Sequence, residues 1–119
     1  MARKYKWKQS NEELCVLAQQ GNENAYLQLL IQNRAYIVKQ MVQMKFRYHP
    51  YWNEMIEWGE IGIMSSIRDY DPSRGTKFLT FATPRIRTEL REFLKSIRMA
   101  YTENYYPDNE DDEDGWAGD

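Results

Sequence analysis

Four basic side chains in the C-terminal half of the chain recur at steps of four, four and three residues: Arg87, Arg91, Lys95 and Arg98. In a helix this spacing places them on one face, and Arg85 lies close by. Guanidinium and ammonium groups bind phosphate oxygens, and each neutralised phosphate releases counterions. The face is therefore typical of a salt-dependent contact with nucleic acid. The alternative is a solvated surface on which Glu89 and Glu92 pair with these basic groups.

Aromatic and threonine side chains precede this helix, in the segment Phe78-Leu79-Thr80-Phe81-Ala82-Thr83. An unpaired base stacked on an aromatic ring contributes ~1–3 kcal/mol to binding, and hydroxyl groups bind base edges. Phe78 and Phe81 are candidates for stacking, Thr80 and Thr83 for the polar contacts, and Lys77 for a phosphate. Phenylalanine is also common in hydrophobic cores, so a purely structural role is the alternative.

Acidic residues follow helical spacing earlier in the chain, where Glu54, Glu57 and Glu60 are three residues apart and Met64 follows four residues later. Such a face can dock onto a basic partner, because charge sets the association rate and register while methionine adapts its shape. An ordinary solvated helix face is the alternative. Trp58 lies in the same segment. An exposed tryptophan there would anchor a partner, whereas a buried one would belong to the core.

Residues that usually carry catalysis or bind metals are scarce. His49 is the single histidine and Cys15 the single cysteine, so the sequence shows neither a metal-binding cluster nor a Cys-His dyad. No glycine-rich phosphate loop follows a strand-like segment. These features predict a binding protein that is not an enzyme and needs no cofactor.

Length and composition are those of one small domain. A chain of 119 residues with 42% hydrophobic residues can build a modest core. No run approaches the ~20 apolar residues of a membrane span. The basic start lacks the apolar stretch of a signal peptide. We therefore expect a cytoplasmic protein without membrane contact.

The formal net charge of −2 conceals a strong asymmetry. Residues 1–106 contain all 16 Lys and Arg residues and 11 acids, whereas residues 107–119 contain seven acids and no basic residue. This pattern predicts a basic body, which suits nucleic acid, and a solvated acidic tail. We expect a basic arm at 1–9, a helical domain at 10–100 and a disordered tail at 101–119. The tail could aid solubility, screen the basic helix or anchor a partner through Trp116.

Apolar residues recur at three- and four-residue steps almost throughout, which predicts an all-α bundle of about four helices. Ser10 followed by Glu13 is a capping box that opens a first helix, which ends near Gln20. The second helix is expected over residues 22–48 and the third over residues 53–70. Proline after His49 separates these two helices, because the residue before proline is disfavoured in helical conformation.

Two glycines lie inside the third predicted helix. Gly59 and Gly62 each lower helix propensity by ~1 kcal/mol, so we expect a neighbouring helix to approach closely there. Residues 71–75, Asp-Pro-Ser-Arg-Gly, then have the composition of a turn.

Proline also marks the last helix. Thr83 as N-cap and Pro84 as first helical residue predict a start there, with the helix running to about Met99. Residues 78–82 are then expected to form a separate turn or to join the helix at a kink.

These segments resemble a known family. Members of the bacterial sigma-70 family, which direct RNA polymerase to promoters, carry in region 2 approximately D-L-I-Q-E-G-N-I-G-L-M, F-D-P-x-R-G, K-F-S-T-Y-A-T and I-R. This chain has the corresponding blocks in the same order: EMIEWGEIGIM at 54–64, YDPSRG at 70–75, KFLTFAT at 77–83 and IR at 86–87. A looser likeness begins near Asn11 and covers most of the chain.

The resemblance implies that core RNA polymerase is a partner. It implies that one face of the third predicted helix binds the clamp helices of the largest polymerase subunit. The residues of that face are Glu54, Glu57, Trp58, Glu60 and Met64. Trp58 departs from the family, which has glutamate at this position.

The resemblance also implies contact with the non-template strand of promoter DNA. Phe78, Thr80 and Phe81 correspond to residues that help to hold a flipped-out adenine. The following helix corresponds to the one that approaches the minus-ten element. The expected DNA-binding residues are Lys77, Phe78, Thr80, Phe81, Arg85, Arg87, Arg91 and Lys95.

The chain departs from primary sigma factors at Pro84 and Arg85, where those proteins carry two tryptophans that wedge against the first melted base pair. The sequence also ends before a domain that reads the minus-thirty-five element. We therefore expect one half of a split sigma factor, with a second protein supplying minus-thirty-five recognition. Three alternatives are a phage-like minimal factor that depends on a coactivator, a decoy that occupies the clamp without melting DNA, and a generic module that binds single-stranded nucleic acid.

Overall fold

The computed structural model describes residues 9–105, and its helices are α1 (Asn11–Gln19), α2 (Glu23–Gln32), α3 (Arg34–Gln43), α4 (Trp52–Asp69) and α5 (Phe78–Tyr105). A short 3-10 turn (Pro72–Arg74) lies between α4 and α5. The predicted all-α class is confirmed over this range, which contains no strand. The expected basic arm, apart from Gln9, and the tail beyond Tyr105 lie outside the described residues. None of the described helices has the length and apolar character needed to cross a bilayer.

The capping box at the start of α1 is confirmed. The Ser10 hydroxyl accepts a hydrogen bond from the Glu13 backbone N–H at 3.1 Å, and the Glu13 carboxylate accepts from the Ser10 N–H at 3.2 Å. Gly21 follows the helix with φ of +100°, a conformation that glycine adopts without strain. The Asn22 side chain then caps α2 by accepting from the Ala25 N–H at 3.0 Å.

The second predicted helix is wrong as a single element, because Asn33 divides it into α2 and α3. The buried Asn33 amide donates to the Leu29 carbonyl and to the Asn11 side chain, both at 2.8 Å. Asparagine competes in this way with helical hydrogen bonding, and here the bond to α1 fixes the break. The helix also ends before the predicted Tyr48. Lys45 and Tyr48 both have positive φ, which no α-helix accommodates.

The predicted start of the last helix at Pro84 is also wrong, and of the two alternatives for residues 78–82 the structure shows that they join the helix. α5 begins at Phe78, passes through Pro84 without interruption and continues through Tyr105, beyond the predicted end. The Thr83 hydroxyl donates to the Leu79 carbonyl at 2.6 Å, so Thr83 lies inside the helix and is not its N-cap. Proline at position 84 leaves the Thr80 carbonyl without its helical donor. Both residues are on the exposed face, where water can hydrate that carbonyl.

The core is centred on α4 and α5, which run antiparallel after the loop that joins them. Gly62 marks their closest approach, because a Cβ atom there would lie 2.7 Å from Cα and 2.8 Å from N of Ile86. At Gly59 a Cβ atom would lie 2.5 Å from Cγ2 of Ile37 on α3. The close approach predicted at both glycines is therefore confirmed, with α5 at one position and α3 at the other.

The loop between α4 and α5 is a tight turn, as predicted. The Asp71 carboxylate accepts from the backbone N–H of Ser73 at 3.0 Å and from its hydroxyl at 2.7 Å. These bonds lower the pKa of Asp71. Gly75 closes the turn with φ of +81°. The Tyr70 hydroxyl donates to the Thr76 carbonyl, which joins the two ends of the loop.

Side chains of α1 form hydrogen bonds with both ends of this loop. The Gln19 amide donates to the carbonyls of Ile67 and Tyr70, each at 2.8 Å, and so satisfies the C-terminal end of α4. The Glu12 carboxylate accepts from the Phe78 N–H at 2.7 Å and caps α5. Between them, the buried Cys15 thiol donates to Ile67 at 3.7 Å. Burial raises the pKa of this thiol to about 11, and the charge of Glu12 adds to the rise.

Substitution of the two helical glycines tests the packing. Gly62→Ala should lower the free energy of unfolding by about 2 kcal/mol despite the better helix propensity of alanine, because the obstacle is the Ile86 backbone. In Gly59→Ala the obstacle is a side chain, so the second change Ile37→Leu, which lacks the Cγ2 branch, should recover part of the loss. Urea unfolding measures both. Equal effects of Ile37→Leu on the two alanine variants would contradict this packing.

Removal of the Glu12 cap tests the contact from α1 to α5. Glu12→Ala leaves the Phe78 N–H without its partner and should lower the free energy of unfolding by about 1–2 kcal/mol. Glu12→Gln keeps a neutral acceptor and should cost less. The exposed Glu23, in the first turn of α2, is the matched control. An effect of Glu12→Ala no larger than that of Glu23→Ala in urea unfolding would exclude a significant cap.

Candidate nucleic-acid interface

The aromatic residues at the start of α5 have unequal access to solvent. Phe78 is completely buried, with its ring edge-on to Tyr70 at a centroid distance of 5.4 Å. A base cannot stack on this ring in the observed conformation, so the structural alternative holds for Phe78. Phe81 is half-buried and lies 5.7 Å from Tyr70, with part of its ring accessible. Lys77 and Thr80 are exposed beside it.

Arg85 is committed to contacts with α4. Its guanidinium donates to the Asp69 carboxylate at 2.7 Å and to the Ser65 carbonyl at 3.1 Å. Its Cζ lies 4.8 Å from the centroid of Phe81, in a cation–π contact. Hydrogen bonds from Arg85, and then from Arg68, lower the pKa of Asp69. Arg85 therefore links the two helices and covers one side of the only accessible phenylalanine of this segment.

Arg87 contacts α3. Its guanidinium donates to the side-chain carbonyl oxygens of Gln40 at 2.7 Å and Gln43 at 3.0 Å. A second contact between these helices joins the hydroxyls of Tyr36 and Thr83 at 2.6 Å. Since Thr83 donates to Leu79, Tyr36 is the donor in this pair. These contacts hold Arg87 in one orientation while leaving it half-exposed.

The α3 residues Tyr36, Gln40 and Gln43 were not among the predicted site residues. Their spacing of four and three residues puts them on one face of α3, and this polar stripe is visible in the sequence. What the sequence did not indicate is that α5 lies against that face. The sequence thus shows that these three polar residues share a face of α3, whereas only the structure shows that α5 packs against it.

Arg91 and Lys95 are exposed and lie on the same face of α5 as Arg87. Among the side chains that the structure describes, which end at residue 100, no carboxylate forms a salt bridge with either residue. The predicted alternative, in which Glu89 and Glu92 neutralise this face, is therefore not seen over this range. We refer to Lys77, Arg87, Arg91 and Lys95 as the basic stripe.

The residues predicted to face a partner on α4 are divided by the structure. Glu54, Glu57 and Met64 are exposed on one face, together with Ile61, which the sequence analysis did not single out. The sequence spacing already indicates that Ile61 belongs to this face, because it lies four residues after Glu57 and three before Met64. We refer to Glu54, Glu57, Ile61 and Met64 as the outer face of α4.

Glu60 and Trp58 point away from this outer face. Glu60 forms a salt bridge of 3.0 Å with Arg34, and only 15% of its side chain is exposed. The Trp58 ring lies 5.4 Å from that of Phe93 on α5 and packs against the core. Of the two roles open to Trp58, the structure favours the core.

An open groove borders the outer face of α4. Its walls come from α1, α2 and α4, and its lining includes Tyr26, Ile61, Met64 and Arg68. The groove therefore continues the apolar part of the outer face, Ile61 and Met64, toward α1 and α2. Across residues 9–105, no group of three or more His, Cys, Asp or Glu side chains is arranged to hold a metal ion.

Comparison with known proteins identifies the family. The chain is 32% identical over 89 residues to the RNA polymerase sigma-G factor of Bacillus subtilis (strain 168), a match that covers 71% of this chain and 34% of that protein. It is 30% identical over 87 residues to a protein provisionally named an RNA polymerase sigma-G factor, from Bacillus thuringiensis subsp. kurstaki. That match covers 71% of this chain and 70% of the relative. The chain belongs to the sigma-70 family of RNA polymerase sigma factors.

No family model and no solved structure matches this sigma-70 family chain. The chain spans about a third of the length of the Bacillus subtilis relative. The resemblance seen in its sequence blocks is confirmed, and the all-α architecture agrees with it. Within this family member, α4 carries the block at 54–64, and α5 carries the block at 77–87 apart from Lys77, which precedes the helix.

Proposed function

We propose that this chain is a promoter-recognition subunit that binds core RNA polymerase through the outer face of α4 and holds a minus-ten-like single strand along the basic stripe. The observation that carries the proposal is the separation of charge between two packed helices. Glu54 and Glu57 are exposed on α4. Arg91 and Lys95 are exposed on α5, and no described carboxylate forms a salt bridge with either of them.

The outer face of α4 suits a basic partner with some apolar surface. Two carboxylates at its N-terminal end provide long-range attraction and register, and Ile61 and Met64, which are 40% and 36% exposed, provide apolar contact. The family resemblance supports the clamp helices of the largest polymerase subunit as the proposed partner. Glu60 contributes indirectly in this proposal, since its bond to Arg34 ties α4 to α3.

The strand-binding side combines phosphate contacts with one accessible ring. Lys77, Arg91 and Lys95 provide the positive charge, and Thr80 provides a hydroxyl at the start of the stripe. Full stacking of a base on Phe81 requires Arg85 to move from the ring, because its guanidinium covers one side. Phe78 contributes by supporting this end of α5 from the core.

The role of Arg85 bears on whether the chain melts DNA. Primary sigma factors place tryptophan at this position, and here a guanidinium is held by Asp69 and Ser65. A residue that joins two helices is a poor wedge against a base pair. We therefore propose that strand separation depends on a second protein, which also supplies minus-thirty-five recognition. The same observation favours the second candidate function, a decoy that occupies polymerase without opening DNA.

Charge reversal on α4 tests the polymerase contact. Glu54→Lys with Glu57→Lys should weaken binding to core RNA polymerase of Bacillus subtilis at least about tenfold, because two attractive contacts become repulsive. Reversal of Glu23, an exposed acid on α2, is the matched control and should leave the affinity unchanged. Titration by fluorescence anisotropy measures the effect. Equal binding by the double variant and the wild type would exclude this face as the polymerase contact.

Neutralisation within the basic stripe tests strand binding. In the complex with core polymerase, Arg91→Ala should weaken binding of a single-stranded non-template oligonucleotide and reduce the slope of log affinity against log salt by ~0.7. Arg68, an exposed basic residue that pairs with Asp69 on α4, provides the matched control. An Arg91→Ala variant with an unchanged salt slope would show that the stripe does not contact phosphate.

Promoter opening separates the subunit from the decoy. Permanganate reactivity of unpaired thymines should appear at a promoter when chain, core polymerase and the second protein are present together. A decoy would bind polymerase normally and produce no reactivity with any added partner.

A further inference from the structure

The loop between α3 and α4, residues 44–51, holds two bulky side chains in an unfavourable backbone conformation. Lys45 has φ of +72° and Tyr48 has φ of +68°, in the left-handed region that favours glycine. Non-glycine residues keep such angles only where the surrounding structure holds them, and they are concentrated at binding sites. Tyr48 is 89% exposed, which is unusual for a residue with a large aromatic side chain.

A set of ring contacts holds the loop in place. Phe46 is buried and lies edge-on to His49 at 6.2 Å, and His49 lies 6.0 Å from Tyr51. Tyr51 in turn meets Phe93 of α5 edge-on at 6.0 Å. The His49 Nδ1 accepts from the Tyr51 backbone N–H at 3.1 Å, and burial lowers the pKa of His49. The loop is therefore braced, and Tyr48 projects from it.

Contacts at both ends hold the loop against α5, and the first of them is with the basic stripe. At the end of α3, Gln43 accepts a hydrogen bond from Arg87. At the start of α4, Tyr51 contacts Phe93. The loop therefore begins next to Arg87 of the basic stripe and ends against Phe93, on the buried side of α5.

The charge of the loop matches that of the stripe. Lys45 and Arg47 are exposed on either side of the buried Phe46, and residues 44–53 contain no acid. An occupant of this surface should therefore be anionic. An exposed, braced aromatic ring between cationic side chains, continuous with a phosphate-binding surface, has the composition of a site for single-stranded nucleic acid.

We propose that Tyr48 is a stacking platform for an unpaired base, and that Lys45 and Arg47 bind the adjoining phosphates of the strand held by the basic stripe. The inference rests on the strand-binding part of the proposed function and extends the strand-binding surface to the loop between α3 and α4. Stacking on a ring does not require a particular base, so this site adds affinity and length to the contact without adding sequence preference.

Three substitutions of one residue test the platform. Tyr48→Ala should weaken binding of a fluorescently labelled single-stranded oligonucleotide about tenfold, as expected for loss of one stacked base. Tyr48→Phe keeps the ring and should remain within about twofold of wild type. Tyr48→Gly removes both the ring and the backbone strain. It should bind as weakly as the alanine variant while raising the melting temperature by about 5 °C.

Binding is measured with the chain and with its complex with core polymerase, at saturating polymerase. Leu27→Ala, which truncates a 53% exposed side chain on α2, is the matched control. Ultraviolet cross-linking of a halogenated oligonucleotide should label Tyr48 in the wild type. Weaker binding by both Tyr48→Ala and Tyr48→Gly, with recovery in Tyr48→Phe, would support the platform.

Failure of the platform can be separated from failure of the proposed function. Unchanged strand binding by Tyr48→Ala, together with weakened binding by Arg91→Ala, would overturn the platform and leave the basic stripe intact. A Tyr48→Ala defect in polymerase binding but not in strand binding would also overturn it, by identifying a protein as the occupant. Strand binding that depends on Tyr48 in a chain that does not bind polymerase would support the platform and reject the polymerase subunit.

Discussion

Hydrogen bonds from α1 to both ends of the α4–α5 loop are the constraint on which the rest of the structure depends. Gln19 satisfies carbonyls at the C-terminal end of α4, and Glu12 satisfies the first N–H of α5. Unpaired backbone groups at helix ends are costly when they are shielded from water. By supplying partners to both ends, α1 sets where α4 stops and where α5 starts. These bonds therefore set the register between α4 and α5, and with it the orientation of the residues on the outer surfaces of the two helices.

That register divides the arginines of α5 between two tasks. Arg85 and Arg87 lie on opposite sides of the exposed face and are drawn to α4 and α3. Arg91 and Lys95 are exposed, and no salt bridge joins either of them to another of the described side chains. Residues of the same chemical type thus serve as links between helices at one level of α5 and as free positive charge one turn later. The difference lies in the acceptors within reach, since Asp69 of α4 binds Arg85 and Gln40 of α3 binds Arg87.

The same division applies to α4. Gly59 and Gly62 allow α3 and α5 to approach so closely that side chains on those sides of α4 are enclosed. Glu60 and Trp58, at the two borders of the enclosed region, are used to join α4 to its neighbours. The carboxylates and apolar residues that remain outward are those farthest from either contact. Close packing on one side of the helix therefore defines the composition of the surface on the other.

Local sequence signals determined much of this protein: the all-α class, the capping box at Ser10, the turn at 71–75, the close approaches at Gly59 and Gly62, and the family. These features depend on a few adjacent residues or on one helical period, so they can be derived without knowing the partners. Tertiary structure decided the rest. Asn33 breaks a helix because its amide reaches α1, and α5 starts at Phe78 because Glu12 caps it, with Pro84 tolerated on the exposed face. Which arginines are free, and whether Phe78 or Tyr48 presents a ring, depends on contacts between distant segments that no local pattern encodes.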